Sequence, residues 1–99
     1  MKLRDYKPDL LERLRDPDYA AGYLEQVLVN EDQSTFLLAL RDVLEAAGGI
    51  GRMTQHVKRS RQSLYKSFSR RGNPTLSMLR EVLKPLGLRV AVKVNKKAA

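Results

Sequence analysis

One segment, GGIGRMTQHVKRSRQSLYKSF from Gly48 to Phe68, constrains the fold of this chain more than any other. It holds two pairs of apolar residues, Met53 with Val57 and Leu64 with Phe68, and the members of each pair stand four residues apart. That spacing places each pair on one face of a helix. The short basic stretch between the pairs leaves room only for a turn. The segment therefore predicts a helix-turn-helix over residues 48–68, in which two short helices pack together.

The second helix of this motif is predicted to begin after Ser60, whose hydroxyl can accept a hydrogen bond from the free amides of the first turn. Its outward residues are Arg61, Gln62, Ser63 and Lys66. Residues near the start of a recognition helix face base edges in the major groove, where Arg can pair with guanine and Gln with adenine. Arg61, Gln62 and Lys66 are therefore the predicted base contacts.

Further polar and basic residues around the motif complete the predicted DNA-binding set. Residues of this kind mostly contact phosphates, which positions a protein on duplex DNA without reading its sequence. They are Arg52, Gln55, Lys58, Arg59, Ser60, Ser63, Arg70, Arg71 and Asn73. Tyr65 has two interpretations, stacking on the sugar and backbone or half-buried packing in the core, and the second is preferred. His56 is predicted to be a surface helix residue rather than a ligand or a base.

The two halves of the chain carry opposite net charges. Residues 1–49 hold six Lys and Arg against ten Asp and Glu, a net charge of −4, whereas residues 50–99 hold thirteen against one, a net charge of +12. The basic half coincides with the helix-turn-helix pattern, which favours contact with a polyanion over a merely solvated surface. The acidic half is then expected to serve a different purpose.

Three helices are predicted ahead of the motif, over residues 9–47. The first is a short amphipathic helix from Asp9 to Arg15. Asp16 and Pro17 begin the second, because aspartate caps a helix and proline fits its first position, and this helix runs to about Val29. The third runs from Gln33 to Ala47 and is ended by Gly48–Gly49, since glycine accepts a left-handed backbone. The predicted buried positions are Leu10, Leu11, Leu14, Ala20, Leu24, Val27, Leu28, Phe36, Leu40, Val43, Leu44 and Ala47.

Residues 69–74 are predicted to form a loop because of their Gly and Asn-Pro content. Thr75 should cap a last helix over residues 75–86. Pro85 lacks an amide and clashes one turn back, so the helix is expected to kink or end near Lys84. The predicted apolar face of this helix is Leu76, Leu79, Val82, Leu83 and Leu86, and Met53 and Met78 are predicted as further core residues.

Residues 88–94 alternate with period two and predict the one β-strand of the chain. Leu88, Val90, Val92 and Val94 share one face of it. A lone strand needs a partner for its backbone groups. The preferred partner is the same strand of a second copy, which gives a two-fold homodimer. Pairing with a segment near the N-terminus, or fraying, is the alternative.

Several classes of function are not expected. A chain with no cysteine and one histidine offers no thiol nucleophile, no thiolate metal site and no assembled catalytic site, so neither an enzyme nor a metal or other cofactor is predicted. The glycines at 48–51 follow a helix, whereas a dinucleotide-binding loop follows a strand. The longest apolar run, Phe36 to Leu40, is too short to span a bilayer, and the N-terminus is too charged for a signal peptide. A cytoplasmic, nucleoid-associated protein with no membrane partner is expected.

The chain resembles the antidote (antitoxin) proteins of bacterial addiction modules, a HigA-like branch of the Cro-type, phage-repressor-like helix-turn-helix class. The resemblance covers roughly residues 5–94. The Ser-Arg-x-Ser-Leu-Tyr and Gly-Asn-Pro-x-Leu pieces are fairly specific together and weak singly. The matching segments are DPDYAAGYL at 16–24, FLLALRDV at 36–43, SRQSLYK at 60–66, GNPTL at 72–76 and LGL at 86–88.

With this resemblance, the prediction is a single all-α domain over residues 1–99, with five or six helices in a phage-repressor-like helix-turn-helix fold and a C-terminal strand paired across a dimer. The resemblance implies binding of double-stranded operator DNA, repression of its own operon and neutralisation of a small basic toxin of the RelE-like type, often encoded just upstream. The acidic half would then face the toxin. A stand-alone Cro-type repressor with no toxin partner is the alternative, and a non-specific nucleic-acid binder is a third possibility.

Three residues depart from the pattern of helix-turn-helix families. Such families favour a small residue where Thr54 stands, glycine where Lys58 stands and an apolar residue where Arg59 stands. Lys58 would be strained by about 1 kcal/mol if the turn needs a positive φ. Arg59 would either lose a core contact or swing out to a phosphate. These departures concern the geometry of the turn and not the two-helix pattern.

Overall fold

The computed structural model describes residues 3–96, which are mostly helical, as the predicted all-α class requires. The first two and last three residues of the predicted 1–99 domain lie outside the described residues. Within residues 3–96, six α-helices and one 3-10 helix follow one another. They are α1 (Leu3–Arg13), α2 (Pro17–Asn30), α3 (Gln33–Ala46), α4 (Ile50–Met53), α5 (Arg61–Ser67), α6 (Leu76–Leu83) and the 3-10 helix Lys84–Leu86.

Short polar side chains fix where four of these helices begin. At each start, a side-chain oxygen accepts a hydrogen bond from a backbone N–H of the first turn, which satisfies one of the amides left free there. The caps of α2, α5 and α6 confirm the sequence-based prediction, whereas the cap of α3 was not foreseen. The capping residues and their distances are Asp16 (3.1 Å), Ser60 (3.0 Å), Thr75 (3.1 Å) and, for α3, Asp32 (2.9 Å).

Helix α3 lies at the centre of the core, where it contacts α1, α2 and α4. Leu37, Leu40 and Leu44 of α3 are almost fully buried. Helix α4 contacts α5 in turn. Leu64 and Phe68 belong to the same buried cluster as the leucines of α3, so the packed core fixes where α5 lies.

Glycine and proline end helices where the sequence predicts. Gly48 and Gly49 have φ values of 112° and 91°, and the N–H of Gly49 donates to the carbonyl oxygen of Leu44 at 2.9 Å. At the other end of the chain, α6 stops at Leu83, and Pro85 lies in the 3-10 helix that follows. Proline cannot donate the hydrogen bond that would continue the α-helix.

The first helix and part of the predicted core need correction. Helix α1 begins at Leu3, not at Asp9, and passes through Pro8 with the loss of one internal hydrogen bond. Leu28, Ala47 and Leu76 were predicted to be buried and are exposed. Leu37 was not predicted and is buried, because three helices surround α3 and its apolar face is wider than one stripe.

The predicted β-strand over residues 88–94 is not formed, and no strand is present anywhere in residues 3–96. Leu88 packs against the core, but Val90, Val92 and Val94 are exposed. A strand exists only beside a hydrogen-bonded neighbour, and the described part of this chain offers no second strand. The pairing of this segment across a dimer stays a prediction.

Candidate nucleic-acid interface

Two short helices, α4 and α5, occupy the segment predicted to form a helix-turn-helix, and they contact each other. Helix α4 is shorter than predicted and ends at Met53, so Val57 lies beyond its end. The side chains of Met53 and Val57 are both buried. Glycine lowers helix propensity in this segment, and the Thr54 hydroxyl donates to the carbonyl oxygen of Gly51 at 2.7 Å. The connection therefore runs from Thr54 to Ser60 and is longer than the predicted tight turn.

Helix α5 turns one face to the core and another to solvent. Leu64 is fully buried, while the three predicted base contacts, Arg61, Gln62 and Lys66, are all exposed. An α-helix with its side chains is about 10–12 Å in diameter, and the major groove of duplex DNA is about 12 Å wide. The exposed face of α5 is therefore of a size that a major groove can accept.

The side chain of Arg61 lies across α4. A Cβ added to Gly51 would collide with the guanidinium of Arg61, so the absence of a side chain at Gly51 makes room for it. Sequence reasoning missed this relationship, since the two residues are ten positions apart and no local pattern connects them. Gly51 thus leaves space beside α4 for the Arg61 side chain.

Tyr65 corrects the preferred interpretation of the sequence. The residue is 51% exposed and lies outside the core cluster, so it belongs to the surface of α5. Positions 62, 65 and 66 are three and four residues apart, which places Tyr65 on the same face of α5 as Gln62 and Lys66. The ring of Tyr65 therefore lies beside the polar side chains on the exposed face of α5. His56 is exposed, as predicted, but it lies in the connection and not in a helix.

The remaining predicted DNA contacts surround α5. Ser63 is half-buried, and its backbone N–H donates to the Ser60 hydroxyl in the helix cap. Apart from Arg59, the others are exposed: Arg52, Gln55, Lys58, Ser60, Arg70, Arg71 and Asn73. Gly72 lets the loop that carries the last three close against α5, because a Cβ there would overlap the carbonyl oxygen of Ser67.

Arg59 contacts Glu81 instead of projecting to solvent. Its Nε and Nη2 donate to Oε2 of Glu81 at 2.9 and 2.7 Å, and both side chains are half-buried. The sequence did not predict this pairing, and the contact of Arg59 with phosphate stays a prediction. Glu81 is the only acidic residue in residues 50–99, and a single carboxylate among so many cations was the sequence feature that could have suggested an ion pair.

Lys58 does not have the strained, positive-φ backbone that the sequence comparison raised as a possibility. Within residues 3–96, the residues with a positive φ are all glycines. The longer connection between α4 and α5 makes its turn without a left-handed residue at Lys58, so the expected penalty does not arise.

The start of α3 joins the acidic half of the chain to the loop after α5. The side-chain amide of Gln33 donates to the carbonyl oxygen of Gly72 at 3.3 Å and to Oδ1 of Asn73 at 3.5 Å. Next to it, hydrogen bonds from the hydroxyl and the backbone N–H of Thr35 lower the pKa of the Asp32 carboxyl below its usual 3.8. Asp32 is therefore ionised at neutral pH.

Hydrogen-bond donors and cations dominate the surface around α5, together with one aromatic ring, and these groups suit contact with a polyanion. Among residues 3–96, no group of three or more His, Cys, Asp or Glu side chains could hold a metal ion. None of the described helices combines the length and the apolar character that crossing a bilayer requires.

Comparison with known proteins identifies the family. Residues 5–94 match the model of a family described as probable addiction module antidote protein. The chain is also 30% identical over 95 residues to an uncharacterized protein of Haemophilus influenzae, an alignment that covers 96% of this chain and 95% of that protein. No solved structure matches the chain. The protein therefore belongs to the family of probable addiction module antidote proteins.

Proposed function

We propose that the chain is a DNA-binding antitoxin of a type II toxin–antitoxin module. In this role it adopts a phage-repressor-like helix arrangement, binds double-stranded operator DNA through α4 and α5, and represses its own operon. It also neutralises a small basic RelE-like toxin by protein contact. It acts in the cytoplasm, associated with the nucleoid, and without catalysis or a cofactor. Membership of the antidote family supports the toxin partner.

The observation that carries the DNA-binding proposal is the division of α5 into a buried and an exposed face. Leu64 anchors the inner face in the core, whereas Gln62, Tyr65 and Lys66 share the outer one. An amide, a phenol and an ammonium group are suited to base edges and phosphates. Because the anchor is buried, the helix that carries the outer side chains is held in place before any partner arrives.

Basic residues around α5 support affinity. Arg52, Lys58, Arg70 and Arg71 are exposed and would neutralise phosphates, which releases counterions and makes binding strongly dependent on salt. Arg59 is left out of this set, because Glu81 already neutralises it. Its part is to hold the start of α5 in place.

The proposal includes a homodimer formed through residues 88–94. Val90, Val92 and Val94 are exposed at alternate positions, and a second strand pairing with this segment would satisfy its backbone and cover part of its apolar face. A two-fold dimer would present two copies of α5 to half-sites about 34 Å apart on duplex DNA.

One experiment tests the proposal directly. The tagged full-length chain is purified from its native cell, and both the protein and the DNA that accompany it are identified. We expect a small basic protein and the chain's own promoter. Promoter DNA without a protein partner would favour the stand-alone Cro-type repressor. A protein partner without DNA would indicate that the chain acts only as a toxin inhibitor. DNA fragments with no shared motif would indicate a non-specific nucleic-acid binder.

A further inference from the structure

A cleft of about 280 Å³ opens where the end of α2, the start of α3 and the loop after α5 meet. Its lining includes the apolar side chains of Leu28, Phe36 and Leu37. Leu37 forms a buried base, whereas Leu28 is 61% exposed and its neighbour Val29 is 76% exposed. The cleft and the end of α2 together form an apolar surface that nothing in the described chain covers, which is typical of an interaction site.

The rim of this cleft is acidic. Glu31 and Asp32 both line it, and both are exposed. The hydrogen bonds from Thr35 and Ser34 that lower the pKa of Asp32 keep its carboxylate ionised at neutral pH. Arg70 lies close enough to Asp32 to offset part of this charge. The rim therefore favours a cationic partner and disfavours a phosphate backbone.

The opposite wall of the cleft is held in place. Asn73 and Pro74 form it, and the side-chain amide of Gln33 donates to the loop at Gly72 and Asn73. A wall that is already fixed loses little conformational entropy when a partner binds, so contacts made there convert efficiently into affinity. The cleft is open and below the volume usual for small-molecule pockets, about 300–1,000 Å³, and is better suited to a protein side chain.

We propose that this cleft is the docking surface for the partner toxin and takes an apolar side chain of the toxin that is flanked by lysine or arginine. The inference rests on the proposed function, since it needs the toxin partner. It goes further by locating the contact. Leu28 is the apolar anchor, and Glu31 with Asp32 supplies the complementary charge, in the arrangement of a central anchor with a polar rim that protein interfaces favour.

The test measures binding of the full-length chain to one defined probe, the small basic protein identified by the native-cell purification described above, in purified form. Leu28→Lys removes the anchor and adds a repelling charge, and Glu31→Lys reverses the charge of the rim. Two matched controls carry the same substitutions outside the cleft. Leu38→Lys changes a leucine of similar exposure, 57%, and Glu12→Lys changes an exposed glutamate of α1. Asp32 is left intact, because it caps α3.

We expect Leu28→Lys and Glu31→Lys each to raise the Kd at least tenfold, and the two controls to change the Kd less than twofold. Added salt should weaken binding of the original chain more than binding of Glu31→Lys. Cleft variants that bind as tightly as the original chain, or controls that weaken equally, would overturn the docking surface while leaving the toxin partnership intact. If the original chain fails to bind this probe, the toxin part of the proposed function fails and the docking surface with it.

Discussion

Arg59 and Glu81 join the connection ahead of α5 to α6 through two hydrogen bonds that share one carboxylate oxygen. The side chains are 29% and 35% exposed, and the shorter contact is 2.7 Å. Arg59 immediately precedes Ser60, the cap of α5, so the pair fixes the start of this helix against α6. A half-buried ion pair is less screened by salt than a pair on the open surface. The pair is therefore expected to position the proposed DNA-binding face.

A double-mutant cycle should detect this contact. Arg59→Ala, Glu81→Ala and the double variant are unfolded with urea, and we expect a coupling free energy of about 1 kcal/mol, because a charge-assisted hydrogen bond gains strength when partly buried. The same cycle on Arg15 and Glu12 is the control. Those side chains are 68% and 75% exposed, and an open surface pair contributes less than about 0.5 kcal/mol. Equal coupling for the two pairs would contradict the assignment.

Two glycine-to-alanine substitutions should change stability in opposite directions. Gly72→Ala places a Cβ against the carbonyl oxygen of Ser67 and should destabilise the fold by about 1–3 kcal/mol. Gly22→Ala lies within α2 with nothing near the new Cβ, and should stabilise it by about 0.5–1 kcal/mol. The free energy of unfolding in urea measures both. A neutral Gly72→Ala would mean that the loop does not close against α5.

Asp32 should make the free energy of unfolding depend on pH. Its pKa is lower in the folded chain than its usual 3.8, so the folded state binds fewer protons between the two values. Its contribution is fully present above about pH 4 and is lost as the pH falls through the folded pKa. Asp32→Asn can keep the cap but cannot titrate. The stability difference between the original chain and Asp32→Asn should therefore shrink from pH 5 to pH 2, and a constant difference would count against the cap.

The exposed valines should control dimer formation. Val92 is 95% exposed, and Val92→Lys would place a charge on the face that a second strand is proposed to cover. We expect the original chain to sediment as a dimer and Val92→Lys to sediment as a monomer with unchanged helicity. Val29→Lys alters another well-exposed valine, on α2, and should remain dimeric. If all three chains are monomeric, residues 88–94 do not pair as proposed.

Local chemistry explains what could be predicted from the sequence. Asp16, Ser60 and Thr75 cap helices within three residues of themselves, so their neighbours along the chain are enough to identify them. The effect of Pro85 is equally local. Likewise, the four-residue spacing of Leu64 and Phe68 predicts the inner face of α5, and the exposure of its outer residues follows.

Long-range contacts explain what could not be predicted. Glu81 lies 22 positions from Arg59, so no local pattern reveals their pairing. The contact between Gly51 and Arg61 depends on how α4 packs against α5. Tyr65 could lie on either edge of its helix, and the burial of Leu37 depends on how many helices surround α3. In each case the tertiary arrangement decides, and the sequence alone does not specify it.

The central claim is that α5 reads duplex DNA through its exposed residues Arg61, Gln62 and Lys66. The most direct measurement selects bound sequences from a randomised duplex library with the original chain, Arg61→Ala and Arg41→Ala, where Arg41 is an exposed arginine of the acidic half. We predict that one motif emerges for the original chain and for Arg41→Ala. Arg61→Ala should lose preference at one base pair, about 1–3 kcal/mol. No motif for the original chain, or an unchanged motif for Arg61→Ala, would contradict the account.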